Sequence, residues 1–227
     1  MMLPDYWLTR PPAELDEGIR SRFDRLWGST LARGTNPMIE YDLPAPRWQF
    51  LCYLAEHHDL ALHGSGDPDI SLFEPRQPHD LTEFGNQKAV YAAADGIWAM
   101  FFAIVDRSRF DMSINNACIR LVDPEGNSSG PFYVFSVSKS ALQHRPWRTG
   151  TVYLLPRTTF MVQPTIPFGP VEVHIAQLAS LSPVQPLARL QVSAEDFPFL
   201  QQIRSHDDAR LAEYGKAMQT GAPWPED

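Results

Sequence analysis

The sequence predicts an α+β fold on a mostly antiparallel β-sheet, open to a split, with helices at both ends of the chain. Three observations predict it. Between residues 60 and 193, short β-like runs crowd together, separated by Pro, Gly, Asp and Asn. One helical stretch alone, at about 95–105, interrupts them, so the regular strand–helix alternation of an α/β fold is missing. On either side of this region, apolar residues recur at helical spacing.

Taken in order, the first helix is expected within 12–33. Leu15, Ile19, Phe23, Leu26, Trp27 and Leu31 fall close to an i, i+4, i+7, i+8 stripe there, which should be buried against the β-rich region. Pro11-Pro12 marks its start and Gly34 its stop. A Pro-bearing connector at 42–46 leads to a second helix holding Trp48, Phe50, Leu51 and Leu54. Strands are expected at 60–63, 88–93, 114–122, 131–138, 151–155, 158–163, 171–176 and 184–192. Residues 194–218 read as helical, and 222–227 as a loose tail. The chain thus divides into an N-terminal helical segment (1–59), a β-rich core (60–193) and a C-terminal helical segment with its tail (194–227).

With 227 residues, 44% of them hydrophobic, the chain can build a full core. The 27 acidic residues outnumber the 19 basic ones, giving a formal charge of −8. That balance disfavours broad contact with a nucleic-acid backbone. Cys52 and Cys118 sit beside Leu51 and Ile119 and read as small buried hydrophobes. The start, Met1 to Tyr6, has neither the basic region nor the apolar core of a signal peptide, and Ile97–Val105 is too short to span a membrane. A cytoplasmic location is the default expectation. His57, His58, Asp59 and His63 cluster without the spacing that sets a metal geometry, so no metal site is assigned.

Two short motifs carry the chemistry. Leu60-Ala61-Leu62-His63-Gly64-Ser65-Gly66 reads as a strand that ends on a histidine and a glycine turn. Gly64 has no Cβ, so a ligand can approach its backbone closely. Farther on, Ala89-Val90-Tyr91-Ala92-Ala93-Ala94 is a strand whose tyrosine is followed by small residues and then by the helix Gly96–Phe102. At these residues the chain resembles the ADP-ribosyltransferase superfamily, in the branch marked by a His-Tyr-Glu triad. There an H-G-[ST] turn and a Y-x-A strand before a helix are the first two motifs. The resemblance spans residues 60 to about 192.

It implies a transferase-type core with NAD as substrate. His63 would meet a ribose hydroxyl and the Gly64 backbone the carboxamide. Tyr91 would stack on the nicotinamide, with Ser65 and Ala92 beside them. A late-strand carboxylate would steady the cationic sugar as the nicotinamide–ribose bond breaks. Two residues compete for that place. Glu172 has the right charge, whereas Gln177 stands nearer the following Val-x-Pro segment without it. Five apart in one extended strand, they would point to opposite faces. A carboxylate implies transfer of ADP-ribose to an acceptor or to water. Gln177 implies a non-catalytic binding module on the same fold. A purely structural α+β domain is the third reading. Arg145, Arg148 and Arg157 form a sparse basic neighbourhood that could meet a pyrophosphate. Gly126-Asn127-Ser128-Ser129-Gly130 spells the hydrolase G-x-S-x-G, but Pro131–Phe135 after it reads as a strand, where a nucleophile elbow needs a helix.

Overall fold

The computed structural model describes residues 3–13, 15–78 and 83–225. Met1 and Met2, and Glu226 and Asp227 of the expected tail, lie outside them. In chain order the elements are β1 (Leu8–Thr9), α1 (Glu17–Leu31), α2 (Arg47–His57), β2 (Leu60–Ser65), β3 (Val90–Ala93) and α3 (Gly96–Ile104). Then come β4 (Ile114–Val122), β5 (Ser128–Ser138), α4 (Lys139–Leu142), β6 (Gly150–Pro156), β7 (Met161–Val162) and β8 (Ile166–Phe168). β9 (Val171–Ile175), β10 (Gln177–Ser180), β11 (Ala188–Val192), β12 (Arg204–His206) and α5 (Leu211–Thr220) complete the chain.

The strands form two sheets, as a split sheet requires. One runs β1-β5-β4-β9-β8, with β12 also paired to β5; the other runs β11-β6-β2-β3-β10-β7. Every strand pair is antiparallel except β12 with β5. The architecture is therefore α+β with mostly antiparallel sheets. Among the described residues no helix is long and apolar enough to cross a membrane.

α3 is the centre of the core. Its sequence, Gly-Ile-Trp-Ala-Met-Phe-Phe-Ala-Ile, is apolar all round, and all but Phe102 is buried. Such a helix needs protein on every side. Phe101 lies 4.8 Å from Phe135 of the first sheet. On the opposite side, bare Gly64 of β2 and Gly150 of β6 let the helix backbone settle on the second sheet. Asp95 caps its start, accepting from the Trp98 amide at 2.9 Å.

Asp95 is 3% exposed and also accepts from Arg10 Nη2 at 2.6 Å and from Tyr133 Oη at 2.8 Å. The N-terminal segment is thereby clipped across the helix start. Farther toward the N-terminus, Tyr6 Oη lies within hydrogen-bond reach of the carbonyls of Ala217 (2.9 Å) and Ala222 (3.0 Å). Trp224 packs on both Tyr6 and Tyr214, so residues 222–225 are held rather than loose.

Several expectations need correction. α1 starts at Glu17, capped by Asp16, because Asp16 Oδ1 accepts from the Ile19 amide. Only Phe23, Trp27 and Thr30 of α1 are buried; Leu26 is half-buried and Leu31 exposed, so the buried stripe is narrower than expected. The C-terminal segment is not one helix. Pro198 interrupts it, short 3-10 turns flank the break, and β12 intervenes before α5. The run at 158–163 is a 3-10 turn followed by the two-residue β7. The late strand at 171–176 ends at Ile175. There the chain changes sheets, with Ala176 N–H donating to Cys118 O and Ala176 O accepting from Ala94 N–H.

β12 brings His206 to the first sheet, where it is fully buried. Its Nδ1 lies 2.7 Å from Ser136 Oγ and its Nε2 2.7 Å from Ser113 Oγ. Asp208 closes the cluster, accepting from Ser113 and from Ser138. Burial holds the imidazole below its ordinary pKa of 6.5, against the pull of Asp208 and Asp207. The unfolded chain therefore takes up a proton first as pH falls through 6.5, and stability declines below that point. His63, also held low by burial, adds in the same direction. The urea midpoint should fall between pH 7.5 and 5.5, and His206→Gln should flatten that dependence; an unchanged slope would remove His206 from the account.

Candidate functional site

β2 and β3 share one registered pair, Leu62 with Ala93. Beyond it β2 runs on with only β6 beside it, to Ser65 opposite Thr151. The two motif strands therefore separate where the motifs lie. His63 bridges the gap: its Nδ1 is 2.6 Å from the Tyr91 carbonyl, and its ring stands 4.6 Å from that of Phe73. A carbonyl only accepts, so Nδ1 carries the proton. Burial lowers the His63 pKa, and the imidazole is neutral at pH 7.

The side chains do not converge as expected. Leu62 and Ala93 are paired and share a face, so alternation puts Gly64 and Tyr91 on that face and His63, Ser65 and Ala92 on the other. Packing agrees with this. Leu62 and Ala93 belong to the main core around α3, whereas Ala92 packs with Phe73 and Tyr153. The expectation that His63 and Tyr91 line one pocket with their side chains is corrected: they meet ring to backbone. Tyr91 Oη is itself engaged, 2.9 Å from the carbonyls of both Phe84 and Gln87.

The two late-strand candidates are separated by the change of sheet at Ala176. Gln177 opens β10, opposite Ala93 of β3. It therefore shares the face of Tyr91 and Gly64 on the next strand over. Glu172 is on β9 of the other sheet, opposite Val122 and Pro167, and is mostly exposed. The two residues stand on different strands, so parity within one strand no longer relates them. Local sequence could not reveal this, because nothing in Ile175-Ala176-Gln177 marks a crossing between sheets.

Glycine and arginine build a cavity that the motifs did not anticipate. Gly64–Gly66 form one wall, Phe102, Val105 and Ile114 the apolar side, and Arg107 and Arg148 the polar side; its volume is about 340 Å³. Arg148 lies flat on Gly66, where any Cβ would overlap the guanidinium. Its Nε donates to Ala103 O at 3.1 Å, and its Nη1 is 3.6 Å from Asp106 Oδ1. Asp106 is occupied otherwise: Ser108 Oγ donates to it at 2.6 Å and the Arg109 amide at 3.2 Å. The Ser108 hydrogen bond is the chief reason its carboxyl sits below the ordinary range. Arg148 and Arg157 flank opposite ends of β6, so the basic neighbourhood expected from sequence is divided.

A second cavity, of about 470 Å³, lies between Pro156–Thr159 and Pro183–Leu187, away from the motif residues. Gly126–Gly130 belongs to the β4–β5 hairpin, where the Asn127 amide donates to Asp123 Oδ1 at 2.7 Å. A serine there has no nucleophile elbow. Cys52 and Cys118 are buried, and burial raises both thiols well above their ordinary pKa. Among the described residues no group of three or more His, Cys, Asp or Glu could hold a metal. Comparison of the chain with protein-family models, with curated proteins and with solved structures finds no match.

Proposed function

We propose that the chain is a non-catalytic binding module of ADP-ribosyltransferase type, taking a ligand of the NAD class where β2 and β3 separate. The observation that carries this reading is the strand order. The His63-Gly64, Tyr91 and Gln177 motifs occupy three consecutive strands, β2, β3 and β10. Tyr91 and Gln177 share one face of them, the face whose Gly64 end is covered by α3. Chemistry at a nicotinamide–ribose bond needs negative charge beside the sugar as it becomes cationic. An amide at that place binds without supplying the charge, and the rival carboxylate, Glu172, belongs to the other sheet.

His63 has a different role from the one its motif implies. It ties β2 to β3 through the Tyr91 carbonyl. The expected result of titrating the protein with NAD by calorimetry is saturable binding, with no nicotinamide released over hours by chromatography. Steady nicotinamide release would restore the transferase reading. Absence of any binding heat or competition would leave a structural domain.

A further inference from the structure

We infer that the cavity at the end of β2 is an anion site, built for a phosphate group of a small ligand. Four observations carry it. Among the described residues the cavity is lined by two arginines and by no carboxylate, in a chain where acidic residues outnumber basic ones 27 to 19. Arg148 is pre-positioned: Ala103 O holds its Nε and Gly66 supports its flat face, so little side-chain freedom remains to be lost on binding. Its Nη2 makes no hydrogen bond among the described residues, and its one ionic neighbour, Asp106, stands at 3.6 Å with other donors on its carboxylate. Arg107 enters no ion pair among the described residues and stands on the same cavity.

A planar guanidinium with a free edge matches the tetrahedral oxygens of phosphate, with the second arginine closing the charge balance. Phe102 and Ile114 on the adjacent wall limit water around the pair and strengthen it. That the rest of the ligand is a dinucleotide rests on the function proposed above; the anion site itself stands on the cavity alone.

The test is calorimetric titration with inorganic pyrophosphate, ADP-ribose and nicotinamide at low salt, on the full chain. Pyrophosphate and ADP-ribose should bind, with affinity falling as KCl is added. Arg148→Met should weaken both at least about ten-fold, the loss of one charge-assisted hydrogen bond, and Arg148→Lys less, since charge survives while the fork is lost. Gly66→Ala is the control for folding, because the atoms it meets are the guanidinium end of Arg148, which can be displaced without moving backbone; it should weaken binding while leaving the urea midpoint nearly unchanged. Binding of pyrophosphate that depends on Arg148, without any competition from NAD, would keep the anion site and remove the dinucleotide. No binding of either phosphate compound by the wild-type protein, or binding indifferent to Arg148→Met and Gly66→Ala, overturns the inference.

Discussion

Asp95→Ala should cost about 3–5 kcal/mol, the range for removing one partner of a buried ion pair. Three donors meet on this carboxylate: the Trp98 amide, the Arg10 guanidinium and the Tyr133 hydroxyl. Losing it uncaps α3, removes the acceptor of the buried Tyr133 hydroxyl and leaves Arg10, 19% exposed, with only the surface Glu56 as counter-charge among the described residues. The cap alone is worth about 0.5–2 kcal/mol. Asp95→Asn separates the contributions, because an amide oxygen can still cap the helix while the charge is gone. Equilibrium urea unfolding should place Asn between wild type and Ala. If Ala and Asn unfold alike, the loss belongs to the charge pair; if Ala costs less than about 1 kcal/mol, the clip does not bear on stability.

Gly64→Ala is expected to cost about 3 kcal/mol, at the upper end for an overpacked core. A Cβ at this position would overlap the carbonyl oxygen of Ala99 and lie 2.7 Å from the Ala103 amide nitrogen. Both are backbone atoms of a buried helix, and neither can rotate away. Gly66→Ala, two residues on, meets only an arginine tip, and its stability should hardly change. The pair therefore distinguishes a glycine required by helix docking from one that seats a side chain. Equal midpoints for the two variants would mean that α3 shifts to accommodate a methyl group.

The same glycine shows how far the sequence could be read. Its bareness was legible, and so was the strand that carries it; its purpose was not. Local composition suggested a ligand at the backbone, whereas the space is filled by α3, a segment more than 30 residues later. The strands expected at 60–63, 114–122 and 184–192, which run over 60–65, 114–122 and 188–192, were visible because apolar runs bounded by turn residues leave few alternatives. Assignment to sheets was not visible, since it depends on pairing between distant segments. Ile175, Ala176 and Gln177 read as one strand, yet belong to two sheets on either side of a single residue. That hidden crossing puts Glu172 and Gln177 on different sheets. Arg107 escaped notice for the same reason: only the docking of α3 on β2 carries it to Gly66.

The contact of Tyr6 with the carbonyls of Ala217 and Ala222 has a consequence for the order in which the molecule can be completed. Synthesis begins at the amino end, so Tyr6 leaves the ribosome more than 200 residues ahead of its partners. Arg10 meets Asp95 and Tyr133 at intermediate times. Tyr6 thus waits without these partners through most of translation, and its final seat exists only after α5 has emerged. A truncated nascent chain would carry the two sheets and α3 but leave its first residues open to protease, and that sensitivity should disappear as the chain passes residue 222.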